Sequence, residues 1–174
     1  MKVVLFIVIG LVVLIGLPTL IGSLLPREHR ATSRITLKKP AAEVWPVIRD
    51  LGALQGSWRH LKSARRLPDE NGKEIWEQDA GGFPMRLIVE ESRPPTHLLT
   101  RIDAAPNAAF GGTWTYDLQP LGSGSQLTVT EAGYVSNPLF RVIMQSMGVH
   151  RTADSYLRAL GTKLGESVRP EHLK

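Results

Sequence analysis

Residues 3–25 form an uninterrupted apolar run without a single charge, and no other feature of the chain restricts its fold so severely. As a helix this run would span about 34 Å, enough to cross a bilayer core of about 30 Å. It reads as a membrane-spanning anchor. The competing reading, a cleaved secretory signal, has Lys2 as a minimal basic start. The apolar stretch is however longer than such signals use, and Gly22-Ser23-Leu24-Leu25-Pro26 makes a poor cleavage site. Pro18 would tilt or kink the helix, which membrane helices tolerate. The expected localisation is a single-pass membrane protein. Its orientation stays open, because Lys2 on one side faces Arg27, Arg30, Arg34, Lys38 and Lys39 on the other.

The chain beyond the run has the size and composition of one ordinary domain. The sequence divides into an anchor at 1–26, a folded domain at 27–168 and a short tail at 169–174. The chain has no cysteine, which removes disulfides, thiolate metal sites and cysteine nucleophiles. Residues 27–66 carry ten Lys and Arg against three acidic residues, while residues 67–174 carry ten against thirteen. The basic excess therefore lies nearest the membrane, where it suits anionic headgroups or forms an ordinary solvated face. Nucleic acid is not an expected partner, since no aromatic residues interleave the basic stretch.

Ala31 to Lys38 alternates apolar and polar residues as a half-buried strand does, and Pro40 ends it. Val44, Trp45, Val47, Ile48 and Leu51 then recur at helical spacing, with Pro46 placed in the first turns. Asn71-Gly72 marks a tight hairpin between Ala64–Leu67 and Glu74–Gln78. Alternation predicts further strands at Met85–Glu90, Thr96–Asp103, Thr113–Leu118 and Leu127–Thr130, the last two joined across Gly122-Ser123-Gly124-Ser125. Strands this close, joined by tight turns, argue for an antiparallel meander. The chain then changes period. Asn137 is a good N-cap, and Leu139, Ile143, Met147, Ala153, Leu157, Leu160 and Leu164 form one stripe of a long amphipathic helix, with a kink near Gly148. The fold class is α+β: a curved antiparallel sheet gripping a long carboxy-terminal helix, preceded by one transmembrane helix. A sheet wrapped on one helix seldom closes fully, and the gap becomes an apolar cavity.

The run from Arg34 to Trp45, followed by Val47-Ile-Arg-Asp-Leu51, resembles the opening strand, proline-ended turn and first helix of the helix-grip superfamily. That superfamily joins START lipid-transfer proteins, polyketide cyclase/dehydrase-like proteins and the birch-pollen-allergen type. The resemblance continues in Trp58-Arg-His-Leu, Glu90-Glu-Ser-Arg-Pro-Pro95, Gly112-Thr-Trp-Thr-Tyr-Asp-Leu118 and Leu127-Thr-Val-Thr-Glu-Ala-Gly133, covering roughly residues 30–166. It implies a cavity for a hydrophobic ligand and no particular reaction.

The strand phase that turns Trp114, Tyr116 and Leu118 inward also turns Leu127, Val129 and Glu131 inward. Glu131 is then a carboxylate beside an apolar cavity, a candidate acid, base or ligand anchor, or else a rim residue paired with Arg101. Trp58, Trp76, Leu87, Trp114, Tyr116, Met147 and Tyr156 complete the candidate cavity lining, each competing with an ordinary core role. His29, His60, His97, His150 and His172 are scattered without the spacing of a metal site, and no cofactor or serine-hydrolase signature is present. Three functions are expected. The first is a membrane-anchored binding domain for a hydrophobic small molecule or lipid. The second is a cyclase- or dehydratase-like enzyme acting on a polyketide or related aromatic compound, which needs Glu131 and a partner such as Arg101 or Tyr116 to converge. The third is a protein-interaction domain with a filled core.

Overall fold

The computed structural model describes Gly10 and residues 12–173. Much of the expected membrane helix, residues 3–9 and Leu11, lies outside that range. Among the described residues no helix is long and apolar enough to cross a membrane. The described part of the apolar run begins with a π-helical turn, Val12–Gly16, which passes directly into helix α1, Leu17–Leu24. Pro18 stands in the first turn of α1.

Strand β1, Glu28–Leu37, buries Ala31, Ser33, Ile35 and Leu37 on one face. Helix α2, Ala41–Arg49, starts from extended Pro40 and presses Val44, Trp45 and Ile48 into the core, with Pro46 inside it and one rung of its ladder missing. Consecutive turns over residues 50–60 then bury Leu51, Leu54 and Trp58. The meander is built from β2 (Leu61–Glu70), β3 (Lys73–Ala80), β4 (Phe83–Arg93), β5 (His97–Ile102), β6 (Phe110–Leu121) and β7 (Gly124–Val135). Asn71 and Gly72, at φ 51° and 74°, make the β2–β3 turn that their side chains permit.

The long carboxy-terminal helix is two helices. Helix α3, Pro138–Met147, begins where the Asn137 side chain accepts the Leu139 N–H at 2.9 Å. It stops at Gly148, whose φ of 86° is outside helical space. Helix α4, Arg151–Lys163, lays Ala153, Tyr156, Leu157 and Leu160 on β1 and β7. The stripe read as continuous therefore splits. Its second half is core, while Ile143 and Met147 on α3 stay half exposed.

The sheet runs β2-β3-β4-β5-β6-β7-β1-β8, antiparallel throughout, with β8 formed by Glu171–Leu173. Those residues, set apart as a tail in the sequence, lie on the outer edge of β1. Arg34 to Glu171 at 2.9 Å and His172 to Asp154 at 2.9 Å fasten them, with the His172 ring stacked on His150. The concave face of the sheet holds α2 and α4, a helix-grip-like α+β architecture.

Helix α1 is attached to this body through α3. Gly22 is buried so closely on Pro138 that an added Cβ would meet the Pro138 carbonyl oxygen at 2.0 Å. The buried Arg141 guanidinium donates to Leu25 O at 2.9 Å, capping the end of α1, and to Ser136 O at 3.0 Å.

Candidate functional site

Between sheet and helices the packing leaves an apolar chamber of about 180 Å³. A cavity of about 150 Å³ already holds a benzene ring. Four aromatic rings in mutual contact form much of its wall. Tyr156, delivered by α4, meets Trp58, Trp114 and Tyr116 at centroid distances of 5.5, 5.7 and 5.4 Å. Edge-on contacts of this kind stabilise each other beyond the area they bury. The turn segment that carries Trp58 is tied to α4 by its indole N–H, which donates to Ser155 Oγ at 3.0 Å. Leu87, Ile102 and Val47 close the opposite side.

Register explains why these side chains meet. Trp114 lies opposite Glu131, Tyr116 opposite Val129 and Leu118 opposite Leu127, so one face of β6 and β7 supplies rings, aliphatic floor and a carboxylate. Burial pushes the Tyr116 phenol well above its ordinary range, with the nearby Tyr156 and Glu131 adding to the shift. Burial pushes Tyr156 up as well. Both are neutral at physiological pH, and neither hydroxyl has a hydrogen-bond partner among the described residues.

A second space, an open groove of about 550 Å³, adjoins the chamber. Its wall is α3, with Phe140, Ile143 and Met147 each about half exposed, and Phe83 and Phe110 stacked edge-on at 6.1 Å form its other lip. The chamber alone is smaller than a typical ligand pocket; together with the groove it falls within the usual range.

Of the residues singled out in the sequence, Trp58, Leu87, Trp114, Tyr116, Glu131 and Tyr156 line the chamber, and Met147 lines the groove. Trp76 shares the concave face with Leu87 but lies beyond the chamber, its ring over Gly52 and its N–H donated to Glu74 Oε1 at 2.6 Å. Arg101 does not reach Glu131. It faces the other side of β5 and binds Glu90 at 2.7 Å. Glu131 instead meets His29, with Nε2 to Oε1 at 3.5 Å. Sequence reasoning misses His29 as a site residue, although the alternation of Ala31, Ser33, Ile35 and Leu37 runs back to it. Half of the ten basic residues of the 27–66 segment are paired at short range: Arg34, Lys39, Arg49, Arg65 and Arg66 each meet a carboxylate.

The model of the family described as polyketide cyclase/dehydrase and lipid transport matches residues 28–165. The chain belongs to that family. No curated protein matches it by sequence. Among solved structures this family member is similar to a conserved protein from Geobacillus kaustophilus, at 19% identity and a TM-score of 0.63 over 83% of this chain and 100% of the other. The Zhui aromatase/cyclase from Streptomyces sp. R1128 aligns at 17% identity and a TM-score of 0.62, covering 79% of this chain and 94% of that one. A START superfamily protein from Mycobacterium smegmatis aligns at 15% and 0.64, covering 79% and 97%. At these identities the likeness speaks for the fold, and chemistry has to be argued from the chamber itself.

Proposed function

We propose that this protein is a membrane-anchored binding domain that holds a hydrophobic small molecule or lipid in the chamber behind Trp114 and Tyr156. The observation that carries the reading is the continuity of an aromatic-walled chamber with an apolar groove whose wall, α3, is the element on which the apolar helix α1 packs. Ligand space and membrane segment thus share one structural neighbour. The uncharged run of residues 3–25 supports the anchor, and the family's lipid-transport description supports the ligand class. A domain with a filled core fits less well, because about 180 Å³ is left unfilled.

The test is native mass spectrometry with lipid extraction on the full chain purified from its own host. A hydrophobic molecule present at near-stoichiometric amount, and lost in Leu87→Asp, is the expected outcome. A clean apo mass with no uptake from a panel of lipids would sink the carrier reading. A cyclase- or dehydratase-like activity is the second reading, favoured by the Glu131 carboxylate and the Tyr116 hydroxyl lining one chamber. Conversion of a polyketide substrate that Glu131→Gln abolishes while binding persists would select it.

A further inference from the structure

Helix α3 is amphipathic the wrong way round for a helix in water. Its one charged residue, Arg141, is buried and spends its guanidinium on two backbone carbonyls, while Phe140, Ile143 and Met147, at i, i+3 and i+7, form a stripe that is about half exposed. The other exposed side chains of α3, Gln145 and Ser146, are uncharged as well. A helix facing water turns its charged residues outward, as α4 does with Arg151, Arg158 and Lys163. Helix α1, seated on α3 through Gly22, repeats the pattern: it has no charge, and Leu17, Leu20, Ile21 and Leu24 are exposed. Across the groove Phe83 is exposed too. Both sides of the groove mouth are therefore apolar surface of the kind that marks an interaction site.

Cations surround this surface. Arg151 lines the groove, and Lys62 Nζ lies 3.4 Å from where a Cβ on Gly82 would stand, next to Phe83. Burial, with the neighbouring positive charges of Arg59 and Arg151, holds the His60 imidazole on the groove lining below its ordinary range. Arg27 follows α1, and its carbonyl accepts the N–H of groove-lining Val135 at 2.9 Å. Arg27, Arg59, Lys62 and Arg151 are all exposed and take no part in the ion pairs formed among the described residues. An apolar surface bounded by unpaired cations matches a bilayer that carries anionic headgroups: acyl chains take the stripe and phosphates take the charges. A second copy of the chain would have to bring carboxylates to the same cations, and the acidic residue that lines the groove, Glu131, is drawn in beside His29.

We infer that α1, α3 and the Phe83 lip are the membrane face of the protein, held on anionic headgroups by Arg27, Arg59, Lys62 and Arg151, with the groove opening towards the acyl chains. The ligand then moves between bilayer and chamber without crossing water. This rests on the membrane-anchored reading proposed above and adds the orientation of the domain and the route of the ligand.

The chain has no cysteine, so nitroxide labels can be placed singly. Phe83→Cys, Ile143→Cys and Met147→Cys report on the face and Leu20→Cys on α1. Leu121→Cys, also an exposed apolar position but at the opposite end of β6 from Phe110, reports on a surface turned elsewhere. The labelled full chains are reconstituted in nanodiscs of phosphatidylcholine and phosphatidylserine. Collisions with oxygen, which concentrates among acyl chains, are compared with collisions with a water-soluble nickel chelate. Oxygen should dominate at 20, 83, 143 and 147, and the chelate at 121. Each cation at an anionic surface favours docking about fivefold. Replacing Arg59, Lys62 and Arg151 together by Glu should therefore turn the label at 83 over to the chelate while the label at 20 stays with oxygen; no change at 83 overturns the role of the cations. If the chelate dominates at 83, 143 and 147 while oxygen dominates at 20, the membrane face is overturned and the anchor stands. If the chelate dominates at 20 as well, anchor and face fall together. Dipolar broadening between labels at 143 on neighbouring copies assigns the face to self-association and overturns the inference. The three face positions are read independently, so one that misfolds leaves two to decide.

Discussion

Glu74 is held by three donors at once. Both Arg49 guanidinium nitrogens reach its two oxygens, and the Trp76 indole N–H adds a third bond at 2.6 Å. The Arg49 guanidinium, helped by Trp76, holds the Glu74 carboxyl at about 2, against the opposing effect of burial. Because the folded value lies below the ordinary 4.5, the pair's contribution is complete above about pH 4.5 and is lost as pH falls towards 2. Glu74→Gln should therefore cost about 2 kcal/mol at neutral pH, and the gap to the unmodified protein should nearly vanish at pH 2. Urea melts at pH 7, 4 and 2 check this; a gap independent of pH would mean the ion pair is not its source. The same residue explains why Trp76, a cavity candidate by its sequence, is engaged elsewhere. Periodicity assigns a side chain to a face of a sheet but not to a position along it. Trp76 and Leu87 share the concave face, yet the chamber ends between them. Glu131 is legible because its strand alternates cleanly. His29 is legible by the same rule, but charged and polar neighbours at the start of β1 hide the pattern.

At the scale of elements, the hairpins are readable wherever a turn requires positive φ, as at Asn71-Gly72, because few residues accept that conformation. The buried turns of residues 50–60 are not readable, since they repeat neither the period of a helix nor that of a strand. The division of the last helix at Gly148 is announced by the glycine, but its consequence is not. Leu139, Ile143 and Met147 continue the stripe in sequence while belonging to a helix that faces the groove and α1. The α1–α3 contact itself depends on one missing side chain. Gly22→Val places carbon atoms inside the Pro138 backbone and should separate the two helices. Limited trypsinolysis should then cut faster at Arg27 and Arg30, while the thermal midpoint of the sheet domain moves by less than about 2 °C. Equal cutting rates in the two proteins would show that Gly22 does not govern the attachment.

For the molecule as a whole, the unfilled chamber separates two roles that share one fold. Leu87→Trp should occupy the space. If the protein works as a container, uptake of a hydrophobic ligand should be lost while the melting midpoint stays within about 4 °C of the unmodified chain, because the larger side chain enters space that is already open. Unchanged uptake would place the ligand elsewhere. Alternation and turns make the fold class and the meander legible in the sequence, whereas the chamber's volume depends on how four rings settle together and is not encoded in any one segment.

The sheet is completed by its ends. β1 pairs on one edge with β7, with Ala31 opposite Glu131, and on the other with β8. Partners about 100 residues apart must find each other before either edge of β1 is covered, and contacts of such long range make folding slow. The meander from β2 to β6 can assemble as it emerges, each strand on its predecessor, but β1 waits until the residues of β7 have been made. During that time its apolar face, from Ala31 to Leu37, is uncovered and both its backbone edges are open to any competing strand.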